Sequence, residues 1–218
     1  MPAAVVFDCD GVLVDSEPHS RDAWLVVLAE LGHPGTAADI AACTGLGFEP
    51  TRQALTTIAP LPTAGEIWPR LFRAIEDSFR AGLRVFEDAA LVMKAAAEAG
   101  IPLAVASSSP RRRLDLTLEV AGLGGGFVTR VAGDEVGAHK PAPDAYLLAA
   151  ELLGVSPGRC VAVEDSGPGA EAATSAGMRT VGVVRDEDER AGLVAAGADV
   201  VDRLTARHVL GVAPGAPS

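Results

Sequence analysis

Ala3-Ala4-Val5-Val6-Phe7-Asp8-Cys9-Asp10-Gly11 opens the chain with five apolar residues, rich in β-formers, that run straight into two aspartates and a glycine. The pattern predicts a buried strand that delivers carboxylates at its carboxyl end. Two later stretches share this design. Ile101 to Ala106 ends in Ser107-Ser108-Ser109, with Pro110 placed for the first turn of a helix. Cys160 to Val163 ends in Glu164-Asp165-Ser166, before a helical stretch that stops near Gly177. Arg179 to Val184 and Asp199 to Val201 read as further strands, entered after Gly177 and Gly197, each able to close a helix. Strands alternating with helices predict an α/β fold: a doubly wound parallel sheet with helices on both faces, whose ligands lie beyond the carboxyl ends of the strands. Asp8, Ser107 and Glu164-Asp165 all fall there, which points to one site.

The alternation fails between Glu17 and Gly82, which reads as an inserted α-helical domain. Its first helix is expected from Pro18 to Leu31, with Trp24, Leu28 and Leu31 on one face and Gly32 as terminator. Another begins at Thr63, where Thr63 and Glu66 have capping-box spacing, and continues to about Ala81. Gly45-Leu46-Gly47 reads as an elbow and Pro60-Leu61-Pro62 as a loop. The division expected is a core of residues 1–16 and 83–212, a helical domain of residues 17–82 and a flexible tail, 213–218.

A chain of 218 residues, 49% of them hydrophobic, can bury one substantial core plus a smaller accessory domain. The net charge of −11 argues against nucleic-acid and anionic-membrane partners, since a polyanion is repelled at long range. A small phosphorylated ligand would therefore need positive charge supplied locally. Cys9, Cys43 and Cys160 are odd in number and unpaired in spacing, so neither a disulfide framework nor a structural zinc site is expected, and a cytoplasmic setting is. No apolar run approaches the ~18 residues of a membrane span, and no export leader is expected.

Asp8 and Asp10, two apart, would point to one side if strand geometry persisted to residue 10. One carboxylate could then attack phosphorus while the other moves protons. Gly11 would let backbone approach phosphate oxygens. By itself Asp-X-Asp-Gly is equally a turn of solvated aspartates. Glu164 and Asp165, with Asp8, form the oxygen-rich set that Mg²⁺ prefers, although alone they read as acids at a helix start. Ser107 and Ser108 could donate to phosphate beside the amides of the following helix, while Ser109 reads as a cap. Lys140 is a point charge able to hold nucleophile and phosphate together. Arg111-Arg112-Arg113 reads as a solvated helical face outside the site, and Cys9 as a small buried hydrophobe.

With these residues assembled, Asp8-Cys9-Asp10-Gly11-Val12-Leu13-Val14-Asp15-Ser16-Glu17 resembles the first motif of the haloacid dehalogenase superfamily. Val105-Ala106-Ser107 resembles the second, Lys140-Pro141-Ala142-Pro143-Asp144 the third and Val163-Glu164-Asp165-Ser166 the fourth. The resemblance implies a Rossmann-like core of strand order 5-4-1-2-3 with a helical cap between the first and second motifs. It makes Asp8 the nucleophile and a metal ligand, and Asp10 the general acid/base and a ligand through its carbonyl. Ser107 and Lys140 become phosphate binders, Glu164 and Asp165 the metal end, and Asp15 an organiser of the loop.

An aspartate at position 10 fits the phosphatase and mutase branches and not the dehalogenases. The closest likeness is to β-phosphoglucomutase-like proteins, but where the mutase has a histidine and an arginine in its cap this chain has Ser20 and Phe48. The function implied is a Mg²⁺-dependent phosphatase, monomeric, hydrolysing a sugar, sugar-acid or polyol phosphate through an aspartyl-phosphate on Asp8. The alternatives are a sugar phosphomutase and a silent phosphate-binding regulator, the latter expected to have lost Asp8, Asp10 or Lys140. His19, Gly45, Gly47 and Arg52 are the candidates for substrate selection by the cap.

Overall fold

The computed structural model describes residues 1–33, 35–41, 43 and 48–211. Gly45, Gly47 and the tail from residue 213 lie outside them. The chain forms two compact units, Met1–Val14 with Val85–Ser218, and Asp15–Arg84.

From β1 (Ala4–Phe7) the chain passes the short β2 (Val14–Asp15) into four helices, α1 (Glu17–Glu30), α2 (Ala37–Ala41), α3 (Phe48–Leu55) and α4 (Ala64–Gly82). It leaves them by β3 (Arg84–Val85) and α5 (Glu87–Glu98). Regular alternation follows: β4 (Leu103–Ala106), α6 (Arg111–Val120), β5 (Thr129–Val131), α7 (Asp144–Leu153), β6 (Cys160–Glu164) and α8 (Gly167–Ser175). The last elements are β7 (Arg179–Val183), α9 (Arg190–Ala195), β8 (Asp199–Val201) and α10 (Ala206–Leu210).

The larger unit is a six-stranded parallel sheet of order β5-β4-β1-β6-β7-β8. Read outward from β1, this contains the expected 5-4-1-2-3 order as β7-β6-β1-β4-β5, with β8 added at the β7 edge. β1 is central, Phe7 lying opposite Val105 on one side and Val163 on the other. Every residue of β1, β4 and β6 is buried, as a sheet covered on both faces requires, and this is why those strands read as unbroken apolar runs. Ala145, Ala149 and Ala150 of α7 and Ala172 and Ala173 of α8 share a core cluster with Val6, Ala104 and Ala162. Small side chains there let the helices settle close to the sheet.

Two details depart from the sequence reading. β5 was not foreseen: its three residues, Thr129-Arg130-Val131, are held by β4, and carry no apolar run of their own. Strand geometry also ends at Phe7, before either aspartate.

In the smaller unit, Trp24, Val27 and Leu28 of α1 and Ile67, Leu71, Ile75 and Phe79 of α4 supply the buried faces. The i, i+4, i+8 spacing of the α4 set makes one apolar stripe. Thr63 donates to Glu66 Oε2 from both its amide, 3.0 Å, and its hydroxyl, 2.6 Å, fixing the start of α4. At the base of the insert Asp15 Oδ2 accepts from Arg84 at 2.6 Å, which gives this motif aspartate a bracing contact. Among the described residues no helix is long and apolar enough to cross a membrane.

Candidate active site

Asp8 leaves the end of the central strand with its amide bonded to the Val163 carbonyl of β6, so the nucleophile candidate is tied to the neighbouring strand. Its carboxylate is nearly buried, and Oδ1 accepts from Lys140 Nζ at 2.5 Å. The same ammonium donates to Glu164 Oε1 at 2.5 Å and to the Ala106 carbonyl at 3.1 Å. Lys140 thus joins the ends of β1, β4 and β6, and with three protons it is fully used by these partners. Burial works against its charge, yet Asp8 and Glu164 hold it well above the ordinary lysine value.

Burial pushes Asp8 up to about 8; Lys140 opposes this, while Glu164 and Asp10 add to it. Asp165 is likewise driven well above the usual carboxylate range by burial and then by Glu164 and Asp8. One oxygen each of Asp8, Glu164 and Asp165 lies within 4.8 Å of the others. Burial raises Asp8 and Asp165 most, and repulsion among the clustered acids raises them further, so the protein alone does not favour ionising all three. This all-oxygen set is of the kind that a hard divalent cation such as Mg²⁺ prefers. Glu164 is the most engaged of the three. Its Oε2 faces the amides of Asp165 and Ser166 at 3.1 and 3.4 Å and the Ser166 hydroxyl at 3.2 Å.

Asp10 has a different set of partners. Ser109 Oγ donates to its Oδ2 at 2.9 Å, and Arg113 Nη2 approaches its Oδ1 at 3.2 Å. Two sequence readings are thereby corrected: Ser109 is not merely a helix cap, and Arg113 is not part of a solvated face. The N-cap of α6 is Pro110, which frees the Ser109 hydroxyl to turn toward the site. Arg111 does follow the simpler reading, paired with Glu135, and Arg112 is exposed.

Close backbone approaches hold the site loops. Gly11 has φ of +83°, and a Cβ there would sit 1.8 Å from Asp165 Oδ2, so this position needs glycine for both conformation and space. A Cβ at Gly133 would lie 2.3 Å from the Ser108 carbonyl oxygen, and the Gly133 amide donates to the Ser109 carbonyl at 2.9 Å. Ser107 is buried, with its hydroxyl accepting from the Ser109 amide at 3.0 Å; Ser108 is exposed.

Nothing in the sequence around Arg185 marks it as part of the site. Its Nε donates to the Gly11 carbonyl at 3.2 Å, its two Nη atoms grip Asp88 at 3.1 and 2.8 Å, and it lies 3.9 Å above the Phe86 ring. It braces the loop that carries Asp10. Burial pushes the Cys9 thiol well above its ordinary value, with Asp10 and Asp8 adding to the shift, so Cys9 is an inert filler between the two aspartates.

The described specificity candidates are occupied within the helical unit. His19 Nδ1 is 2.7 Å from Ser78 Oγ, and the ring meets Phe79 edge-on. Arg52 grips Glu49 through two nitrogens at 2.9 and 2.6 Å and reaches the Pro62 carbonyl. Phe48 stacks on Trp24 and meets Trp68 edge-on, with Phe72 continuing the row.

A parallel sheet whose central strand ends in an aspartate, clasped by a lysine from one loop and faced by two acids from another, defines a class of doubly wound α/β enzymes. The family model of haloacid dehalogenase-like hydrolases matches residues 2–177, and the chain belongs to that family. It is 38% identical over 183 residues to the fructose-1-phosphate phosphatase YqaB of Escherichia coli (strain K12), covering 83% of this chain and 96% of that protein. It is 36% identical over 203 residues to the phosphorylated carbohydrates phosphatase of Thermotoga maritima, covering 89% and 91%. The crystal structure of CbbY from Rhodobacter sphaeroides in complex with phosphate superposes with a TM-score of 0.81 at 28% identity, covering 97% of this chain and 98% of that one.

Proposed function

We propose that this chain is a Mg²⁺-dependent phosphatase of small phosphorylated carbohydrates or polyols, acting through a phosphoryl group carried on Asp8. The contact that supports this most is the 2.5 Å approach of Lys140 to Asp8: the ammonium opposes the burial that would keep Asp8 protonated and so favours the ionised form that attacks. Asp8 attacks phosphorus and the bond to the ester oxygen breaks. Asp10 gives that oxygen its proton, then takes one from the water that attacks phosphorus and releases Asp8. Mg²⁺, held by Asp8, Asp165 and the Asp10 carbonyl with Glu164 beside them, would supply charge neutralisation for the phosphoryl group. Residues 17–82 serve as the cap that selects the substrate, in a soluble, cytoplasmic monomer.

Hydrolysis is favoured over phosphomutation by two positions in the helical unit. Ser20 donates to the Ser16 carbonyl of its own helix, and Phe48 is built into an aromatic row, so neither offers the polar group a mutase would use to hold a sugar.

The test uses intact mass after mixing with an aryl phosphate in Mg²⁺. Asp8→Asn should take no label, because an amide is a poor nucleophile. Asp10→Asn should be labelled slowly and released more slowly still, having lost about 10²–10⁴-fold of proton-transfer assistance. Label on Asp8→Asn would show that the nucleophile has been misassigned. Wild-type activity that needs a sugar bisphosphate and releases no phosphate would make the protein a mutase.

A further inference from the structure

Tyr146 is the chain's one tyrosine, fully buried on the first turn of α7. Its neighbours in the core, Ala145, Ala149 and Ala150, are apolar, so a phenylalanine would satisfy the packing. The hydroxyl is instead placed on the acid cluster. It donates to Glu164 Oε1 at 2.7 Å and lies 3.4 Å from Lys140 Nζ, while the ammonium stands 5.0 Å from the ring centroid.

Glu164 Oε1 is therefore shared by two donors, Lys140 and Tyr146, and Oε2 faces three more on residues 165 and 166. A seat is cut for this carboxylate at Gly169, where a Cβ would fall 2.0 Å from Oε1. Glu164 in turn takes one of the three protons of Lys140, leaving one for Asp8 and one for the Ala106 carbonyl. A chain of contacts runs from the phenol through Glu164 and Lys140 to the nucleophile. Freed from Tyr146, Oε1 could rotate and carry the ammonium with it, and a sub-ångström misplacement at a reacting group is costly.

We propose that Tyr146 is a positioning residue for the reaction at Asp8, fixing Glu164 so that Lys140 is aimed at the nucleophile. The inference rests on Asp8 being that nucleophile, and it extends to a side chain that touches neither substrate nor reacting atoms.

Tyr146→Phe keeps the ring and its packing. With an aryl phosphate in saturating Mg²⁺, kcat and the rate of Asp8 phosphorylation should fall about tenfold while KM changes less than about twofold. The thermal midpoint should stay well above the assay temperature. Protein carrying ¹³C-labelled tyrosine gives a single Cζ signal, which should move in Glu164→Gln, where the phenol's acceptor turns from carboxylate to amide. A kcat within twofold of wild type overturns the proposal. So does a loss of activity that follows a loss of fold, or a Cζ signal unmoved by Glu164→Gln. Should the wild type hydrolyse no phosphate monoester, the functional reading fails by itself, and the Cζ signal still decides whether the phenol is seated on Glu164.

Discussion

Arg113 Nη2 stands 3.2 Å from Asp10 Oδ1, joining residues 103 apart in sequence. With the Ser109 hydroxyl on the other oxygen, the contact fixes the side chain read as general acid/base from two directions. A cation and a hydroxyl on the two oxygens leave the carboxylate little rotational freedom, and charge-assisted contacts of this kind are the stronger ones.

Arg113→Ala should therefore lower kcat roughly tenfold, the size expected for losing one hydrogen bond to a charged group. Arg112→Ala, exposed on the same helix, should be silent in the same steady-state assay. Equal losses in the two variants would mean that net charge near the site matters and the specific contact does not.

These three arginines show what was legible and what was not. The sheet could be read because its buried strands are unbroken apolar runs, each ending in the polar residues that form the site. Asp8, Ser107, Glu164 and Asp165 could be read for the same reason, as chemistry at strand ends, whereas Lys140 follows β5, which has no apolar run, and stands out only through its resemblance to the third motif. Which arginine of a consecutive three turns inward depends on helix phase at the N-terminus of α6, where Pro110 is the N-cap and not, as its sequence suggests, part of the first turn. Tyr146 reads as an ordinary core position of an amphipathic helix, since nothing nearby in sequence reveals Glu164 as its partner. Arg185 reaches Gly11 across 174 residues, and β5 exists only because β4 pairs with it.

Gly11 offers a sharper separation of stability from function. Gly11 and Gly100 both have positive φ, +83° and +67°, but only Gly11 lies against a side chain of the site. Alanine at either should cost about 1–2 kcal/mol for the left-handed backbone, measured by chemical denaturation. Only Gly11→Ala should also lose activity and metal affinity, because its methyl must displace Asp165. Retained metal affinity in Gly11→Ala, measured by calorimetry, would show that Asp165 is not held where the metal needs it.

His19 meets Ser78 and Phe79 inside the helical unit, which makes its first effect one of stability. Ser78→Ala should cost about 1 kcal/mol and His19→Ala more, because it also removes the ring edge on Phe79, while the double variant should cost little more than His19→Ala alone, since both changes remove the same hydrogen bond. Thermal denaturation of the set checks this. A change in substrate ranking with an unchanged midpoint would instead return His19 to the role of a specificity residue.

The acid cluster ties stability, pH and metal together. Asp8, pushed up to about 8 by burial, and Asp165, raised by the same cause, hold protons in the folded state that the unfolded chain gives up near its ordinary carboxylate values. Between these limits the native state binds more protons than the unfolded state, so without metal stability should fall as pH rises from about 5 to about 8. The Lys140 charge does not alter this slope, because its own titration lies well above the window. Mg²⁺ favours the ionised carboxylates and should stabilise increasingly across the same range, by about 2.7 kcal/mol at a hundredfold excess over its dissociation constant. The measurement is the thermal midpoint at pH 5, 6, 7 and 8, in chelator and in Mg²⁺, with Asp8→Asn as control. That variant should flatten the chelator profile, since one of the raised groups is gone. A midpoint in chelator that climbs from pH 5 to 8 would mean that Lys140 outweighs burial and keeps Asp8 ionised throughout. Activity should follow the metal: lost on chelation, restored by Mg²⁺, and poorly supported by Ca²⁺, whose looser and higher coordination would hold the reacting oxygens out of line.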